Sequence, residues 1–143
     1  MDLNIDFNLI WFHLYQLGIA FFLALPIAVD RESRARGAGL RTFPLVTISS
    51  CAFMLVGIDV YCDPEAQARV MYGIITGIGF IGGGSIIKNS DSVSGTATAA
   101  GIWLTGAIGV AVAYQRYEIA IVLSLIGFFV LFGLEKSKPL ARK

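Results

Sequence analysis

Residues 70–87 read VMYGIITGIGFIGGGSII, and no charged side chain interrupts them. A helix needs roughly 17–25 consecutive, mostly apolar residues to cross the hydrocarbon core of a bilayer, so this stretch predicts a membrane span. Charged residues divide the rest of the chain into four more apolar stretches. We therefore predict five spans, over residues 9–28, 43–60, 70–87, 97–114 and 119–134. The alternative has four spans and one re-entrant segment, because the last stretch is short and the third could be broken at its glycines.

The composition of the whole chain also indicates a membrane protein. Of its 143 residues, 56% are hydrophobic and 15% are charged, and the mean hydropathy is +0.73, whereas soluble domains contain roughly 45–50% apolar residues. We predict a single domain over residues 1–143, an all-α polytopic bundle of transmembrane helices embedded in the lipid bilayer. The formal net charge of +1 gives no overall attraction to nucleic acid, so we expect no nucleic-acid partner.

The basic residues predict the orientation of the bundle. One side of the predicted topology carries Arg31, Arg34, Arg36, Arg41, Lys88, Lys136, Lys138, Arg142 and Lys143, and the other carries Arg69 and Arg116. The positive-inside rule then places the N-terminus outside and the C-terminus in the cytoplasm, with a bacterial cytoplasmic membrane as the expected location. Interfacial aromatic residues agree, since the predicted outer face holds Trp11, Tyr15, Tyr61, Tyr72, Tyr114 and Tyr117.

The glycines of the third stretch predict close helix packing. Gly77, Gly79 and Gly82 fit the pattern G-x-G-x-x-G, but a dinucleotide site requires a preceding strand and a following helix, and this motif lies inside a predicted span. Small residues four positions apart instead let two helix backbones approach. We expect spans three and four to pack on each other, or on copies in a second subunit. The residues concerned are Gly73, Gly77, Gly79 and Gly83 in span three, and Ala97, Gly101, Thr105 and Gly109 in span four.

The end of the third stretch and the loop after it form a candidate functional region. Each glycine from Gly82 to Gly84 costs about 1 kcal/mol of helix propensity relative to alanine, so a kink or unwinding could create a site in the cytoplasmic half of the bundle. Residues 89–96 are polar and predict a short turn in which Ser94 or Thr96 caps the next helix. The alternative is that Lys88 and the start of that helix contact an anion or a lipid headgroup.

Groups that carry chemistry do not form a recognisable catalytic or metal centre in the sequence. Cys51 and Cys62 are about 16 Å apart on one predicted helix, too far for a disulfide, and no second thiol or histidine completes a metal-ligand set. Asp30 and Arg31 end the first span, where they either reach the headgroups or join a charged network over the inner end. We expect no enzyme activity, catalytic residue, metal or cofactor.

Four motifs together resemble the MgtC/SapB family. They are Asp30-Arg31, the run Ala38-Gly39-Leu40-Arg41-Thr42, the glycines from Gly77 to Gly84, and Thr98-Ala99-Ala100 with Trp103. The resemblance covers the membrane module, and we expect the cytoplasmic C-terminal domain that many members carry to be absent. Three positions differ from the family pattern: Asn89 stands for an acid, Ala97 for an asparagine, and Leu104 for a cysteine of the best-known branch.

The resemblance implies a non-enzymatic inner-membrane protein that binds a membrane partner or lipid. Members of that family are associated with growth under low magnesium, with virulence in macrophages and with restraint of the F-type ATP synthase. The alternative function is a channel or carrier for an ion or small solute. We expect a homo-oligomer built through the small-residue faces. We also expect Thr42 to cap span two. The functional residues implied are Asp30, Arg31, Gly39, Arg41, Thr42, Gly77, Gly79, Gly82, Gly83, Asn89 and Thr98.

Overall fold

A computed structural model describes residues 6–34 and 38–133, with the side chain of Arg34 excepted. It contains five helices and one small hairpin. These are α1 (Phe7–Arg34), α2 (Thr42–Val60), α3 (Pro64–Gly84), β1 (Ile87–Lys88), β2 (Val93–Ser94), α4 (Thr96–Ala113) and α5 (Tyr117–Gly133). The predicted all-α membrane helix bundle is confirmed.

The five helices differ in how well they suit a bilayer. Helices α1, α2 and α4 are long and apolar enough to cross a membrane, and α5 is apolar but has only 17 residues. Helix α3 has 21 residues, but its first turns contain Glu65, Gln67 and Arg69, and its many glycines add little hydropathy. The number of crossings and their sidedness therefore stay predictions. The end of the fifth predicted span at Leu134, and the basic residues Arg36, Lys136, Lys138, Arg142 and Lys143, lie outside the described residues.

Helix starts follow from local backbone contacts, and two predicted caps are wrong. Asp63 caps α3 by accepting a hydrogen bond from the Ala66 N–H at 3.0 Å. Helix α2 begins at Thr42, so Thr42 is not its cap; the preceding turn already supplies the Gly39 carbonyl to the Phe43 N–H. Helix α4 is capped by Gly95 at φ +84° rather than by Ser94 or Thr96. A side chain at Gly95 would overlap the Ser85 carbonyl oxygen, so glycine is required there.

Helix α4 is the central element of the bundle and packs most closely against α2. It contacts each of the other four helices. A Cβ atom added at Gly109 would overlap the Thr47 carbonyl oxygen and lie 3.0 Å from the Cys51 nitrogen. A Cβ added at Gly101 would lie 2.9 Å from the Phe43 ring. The small residues of α4 therefore let its backbone lie directly against α2.

Helices α3 and α4 pack on each other, as predicted, but the contact within one chain does not use the predicted α3 glycines. In the described part of the chain, nothing lies within 4 Å of a Cβ built at Gly73, Gly77, Gly79 or Gly83. The small face of α4 is occupied by α2, and α3 meets α4 mainly through Ile78 and Gly82, which face Gly106 and Ala99. Packing on a second subunit remains a prediction.

The predicted unwinding within the glycine run of span three is wrong, because α3 is helical through Gly84; a kink there stays a prediction. The glycine run lies at the end of the helix, where low helix propensity costs least. The Ser85 hydroxyl donates to the Gly82 carbonyl at 2.7 Å, and the Ile86 N–H donates to the Gly83 carbonyl at 3.1 Å. The run therefore terminates α3 instead of unwinding it.

We predict that Gly109→Ala lowers the stability of the bundle. The added methyl group would overlap the Thr47 carbonyl oxygen, and overpacking a core costs about 1–3 kcal/mol. The matched control is Gly73→Ala, which gains the same helix propensity but adds its methyl group to open space. Thermal unfolding of both purified variants in detergent measures the difference. Equal melting temperatures would contradict the close contact between α2 and α4.

Candidate functional site

Most of the predicted site residues lie at one end of the bundle, here named the Asp30 end. This end contains the last turn of α1, the loop 38–41, the first turns of α2 and α4, the end of α3, and the hairpin β1–β2. Contacts between Gly82 and Ala99, and between Gly101 and Phe43, join these elements. Gly77 and Gly79 lie one to two turns deeper on α3. Helix packing thus brings together residues that are separated by up to about 70 positions in the chain.

Asp30 and Arg31 form a buried ion pair at this end. The Arg31 Nε and Nη2 atoms donate to the same Asp30 carboxylate oxygen at 3.2 and 2.9 Å, and the residues are only 6% and 4% exposed. Each has a further interaction beyond this pair. Charges taken out of water need such partners, because desolvation costs several kcal/mol per ion. The pair is therefore part of the packed structure, and a wider charged network at this end stays a prediction.

The Glu32 side chain holds the segment just before α2, a contact that the sequence analysis did not predict. The Glu32 carboxylate accepts a hydrogen bond from the Leu40 N–H at 2.8 Å. A Cβ added at Gly39 would overlap that carboxylate, so Gly39 provides the space for it. An acid seven residues before a glycine is too common a pattern to indicate this contact. Arg41 is exposed and Thr42 is half-buried, so Arg41 is available to a ligand or partner.

The segment between α3 and α4 is a β-hairpin, where the sequence predicted a simple polar turn. Ile87 pairs with Ser94 and Lys88 with Val93, and the Asn89 N–H donates to the Ser92 carbonyl at 2.8 Å. Asn89 is exposed. Polar turn residues between two short β-branched segments are the signal that could have predicted the strands.

Gly82, near the end of α3, lies against Ala99 at the start of α4, the residue that follows Thr98. A Cβ added at Gly82 would lie 3.1 Å from the Ala99 carbonyl oxygen, and Thr98 is 6% exposed. Gly82 therefore has a packing role inside the chain, whereas Gly79 and Gly83 face open space. At a position where the family pattern differs, Leu104 fills the space that Gly127 leaves on α5.

Two apolar grooves flank α3. The first groove, between α2 and α3, has a volume of about 690 Å³, and its walls include Leu45, Phe53, Val56, Gly73 and Gly77. The second groove, of about 720 Å³, lies between α3, α4 and α5. Of the predicted site residues, Gly77 lines the first groove. Because few polar groups face these grooves, their shape and lining suit apolar chains or helices.

A buried glutamine near the opposite end was also missed. Gln16 is fully buried, and its Oε1 atom accepts a hydrogen bond from the Tyr117 hydroxyl at 2.6 Å. Its Nε2 atom has no hydrogen-bond partner among the described residues. A single amide within an apolar stretch was the available signal. Because the contact joins α1 to α5, its evident role is to fix these two helices together.

Comparison with known proteins identifies a family and several relatives. The profile of the MgtC family matches residues 17–139. A protein of Escherichia coli K12 named putative magnesium transporter YhiD is 36% identical over 112 residues, covering 73% of this chain and 52% of that protein. Protein SrpB of Synechococcus elongatus is 34% identical over 142 residues, covering 90% and 76%. Protein MgtC of Salmonella typhimurium is 32% identical over 114 residues, covering 80% and 48%.

Each match covers a larger share of this chain than of the relative. The chain spans about half the length of several of the relatives that it matches. No solved structure matches it significantly.

We predict that Asp30→Ala destabilises the protein far more than Asp91→Ala. Breaking a buried ion pair typically costs about 3–5 kcal/mol, because the remaining charge stays out of water. Asp91 is an exposed acid in the hairpin turn, where its carboxylate accepts a hydrogen bond from Ser90, so it controls for the loss of one negative charge at this end. Melting temperatures in detergent and the amount of protein in the membrane measure the effect. A similar loss in both variants would contradict a structural role for the buried pair.

Proposed function

The chain belongs to the MgtC family, and from this premise we propose that it is a non-enzymatic membrane protein that binds a membrane partner along α3. The partner would be an apolar helix, either of another membrane protein or of a second copy of this chain. The proposed location is the bacterial cytoplasmic membrane, and the relatives named above come from bacteria.

The observation that carries this proposal is the unpartnered glycine face of α3. Gly73 and Gly77 line the first groove, and nothing in the described part of the chain would contact a Cβ atom at either position. Helices associate in lipid mainly by close packing, and small residues allow their backbones to approach. An acyl chain would also fit an apolar groove, but it gains less from the missing Cβ atoms than a helix backbone does.

The dimensions of the first groove also suit a helix. Its α3 wall runs from Val70 to Ile81, a length of about 16 Å at roughly 1.5 Å per residue, which corresponds to three helical turns. Phe53 of α2 is 64% exposed and forms part of the opposite wall. The contact of Val70 with Gly57 draws α2 and α3 together near one end of this groove. A partner helix would therefore contact both α2 and α3.

The second candidate function is a carrier or channel, which the name of the Escherichia coli relative favours. Inside this bundle, the hydroxyls of Thr47, Ser50 and Thr105 donate to carbonyls of their own helices, and that of Ser124 donates to the Leu23 carbonyl. The Asp30 carboxylate is bonded to Arg31. Because Mg²⁺ is held mainly by carboxylates and its own waters, these engaged groups favour partner binding over magnesium transport.

The physiological setting is a further proposal. The family resemblance supports adaptation to low magnesium, virulence or regulation of the ATP synthase. Exposed Arg41 at the Asp30 end is available for a polar contact with such a partner, beside the apolar contact along α3.

Photocrosslinking within the membrane tests the proposed interface. Replacing Phe53 with p-benzoylphenylalanine in cells should capture a defined protein or a second copy of the chain, identified by mass and mass spectrometry. Phe129 of α5 has the same exposed fraction, 64%, and is the matched control that should not capture it. Gly77→Leu should abolish the Phe53 product, whereas Gly18→Leu, at another open position on α1, should not. Equal capture from both positions, or capture of lipid alone, would contradict the proposal.

A flux measurement distinguishes the second function. The purified protein is reconstituted into sealed vesicles that contain a magnesium-sensitive dye, and magnesium is added outside. We expect no influx above that of protein-free vesicles, because the interior hydroxyls are engaged in hydrogen bonds. Influx that saturates with magnesium and scales with the amount of protein would instead establish transport.

A further inference from the structure

The hairpin between α3 and α4 exposes apolar side chains at the Asp30 end of the bundle. Ile86, Ile87 and Val93 are 42%, 57% and 56% exposed. They follow the end of α3, where Phe80 and Ile81 are also exposed. Apolar side chains are therefore exposed both on the last turns of α3 and on the hairpin, with residues 82–85 between them.

The hairpin has a gradient of polarity from its base to its tip. Ile87 pairs with Ser94 at the base, Lys88 pairs with Val93 one step further out, and residues 89–92 form the polar turn at the tip. Each strand has two residues and extends about 7 Å at roughly 3.3 Å per residue. The headgroup region on each side of a bilayer is about 5–8 Å thick. A hairpin whose base lies at the edge of the hydrocarbon would thus place Ile87 and Val93 among the headgroups and its turn at their outer edge.

The base of the hairpin is fixed to the bundle, so the hairpin cannot turn freely toward water. Gly95 lies against the Ser85 carbonyl oxygen, and the Ser85 hydroxyl donates to the Gly95 carbonyl at 3.5 Å. Gly95 permits this closeness because it has no Cβ atom. Its φ of +84° also disfavours other residues.

We propose that the hairpin 87–94 is an interfacial element that inserts Ile87 and Val93 into the headgroup region of the bilayer and binds the phosphate of anionic lipids through Lys88. The hairpin directly precedes α4, a helix long and apolar enough to cross a membrane, so it lies at the bilayer surface, where lipid is the occupant. A cationic side chain at this depth is attracted to anionic headgroups. The hairpin thereby fixes the depth of the Asp30 end, independently of any helix bound in the first groove.

Fluorescence from labelled single cysteines in lipid vesicles tests this inference. The full-length protein carries Cys62→Ser, since Cys62 is exposed and Cys51 is buried, and an environment-sensitive NBD label is attached at Ile87→Cys, Val93→Cys or Ser90→Cys. Vesicles contain phosphatidylcholine with or without phosphatidylglycerol. We expect labels at positions 87 and 93 to be quenched at least twofold more by 5-doxyl than by 12-doxyl lipid. The control at Ser90, in the turn, should respond to aqueous quenchers only.

Two outcomes would overturn the insertion. Labels at 87 and 93 that respond to aqueous quenchers as the Ser90 label does would place the hairpin in water. Labels shielded from both aqueous and lipid quenchers would place it against protein.

The role of Lys88 is measured separately, with the same labels. Lys88→Gln should abolish the increase in 5-doxyl quenching that phosphatidylglycerol produces. If phosphatidylglycerol has no effect, or if Lys88→Gln responds as the unsubstituted lysine does, the phosphate contact is refuted. Using two labelled positions guards against a variant that fails to fold.

Discussion

The direct contact between the backbones of α2 and α4 is the constraint on which the rest of this structure depends. Gly109 leaves no room for a side chain above Thr47 and Cys51, and Gly101 leaves little beside Phe43. In a bilayer, apolar side chains gain little by leaving lipid for a helix neighbour, so close packing has to supply the association energy. Besides packing on α2, α4 also contacts α1, α3 and α5. The bundle is therefore organised around α4, the helix with the largest share of buried residues among those suited to span the membrane.

This arrangement explains why α3 is peripheral. The small face of α4 is used by α2, and α3 reaches α4 through Ile78 and Gly82. Gly73 and Gly77 then line the first groove, and Gly79 and Gly83 face open space. A glycine face that no described residue of the single chain covers suits binding of another helix. The outer surface of α3 and the hairpin are both exposed, so helix binding and lipid contact are proposed for two neighbouring elements.

Most polar groups within the bundle follow the rule that buried polar atoms need partners, and the Gln16 Nε2 atom is an exception among the described residues. Hydroxyls of Thr47 and Ser50 return to carbonyls one turn earlier, and Asp30 pairs with Arg31. The Ser124 hydroxyl and the Gln16 amide instead join α5 to α1. Such contacts between helices restrict rotation of each helix about its own axis, which apolar packing alone controls less strictly.

The sequence by itself determined the class of this protein, because apolar stretches of bilayer length leave helices as the structure that satisfies their backbone groups. It also indicated the family and placed Asp30, Arg31 and Thr98 in one region, since short loops bring alternate helix ends together. Only the tertiary structure decided which glycines pack, that Glu32 holds the loop at Gly39, and that Gly95 rather than Ser94 or Thr96 caps α4. The physical reason is that the spacing of glycines along a helix defines a small-residue face but does not determine which helix packs against that face. Likewise, a left-handed residue or a carboxylate contact depends on where distant backbone lies, and periodicity along one helix contains no information about that position.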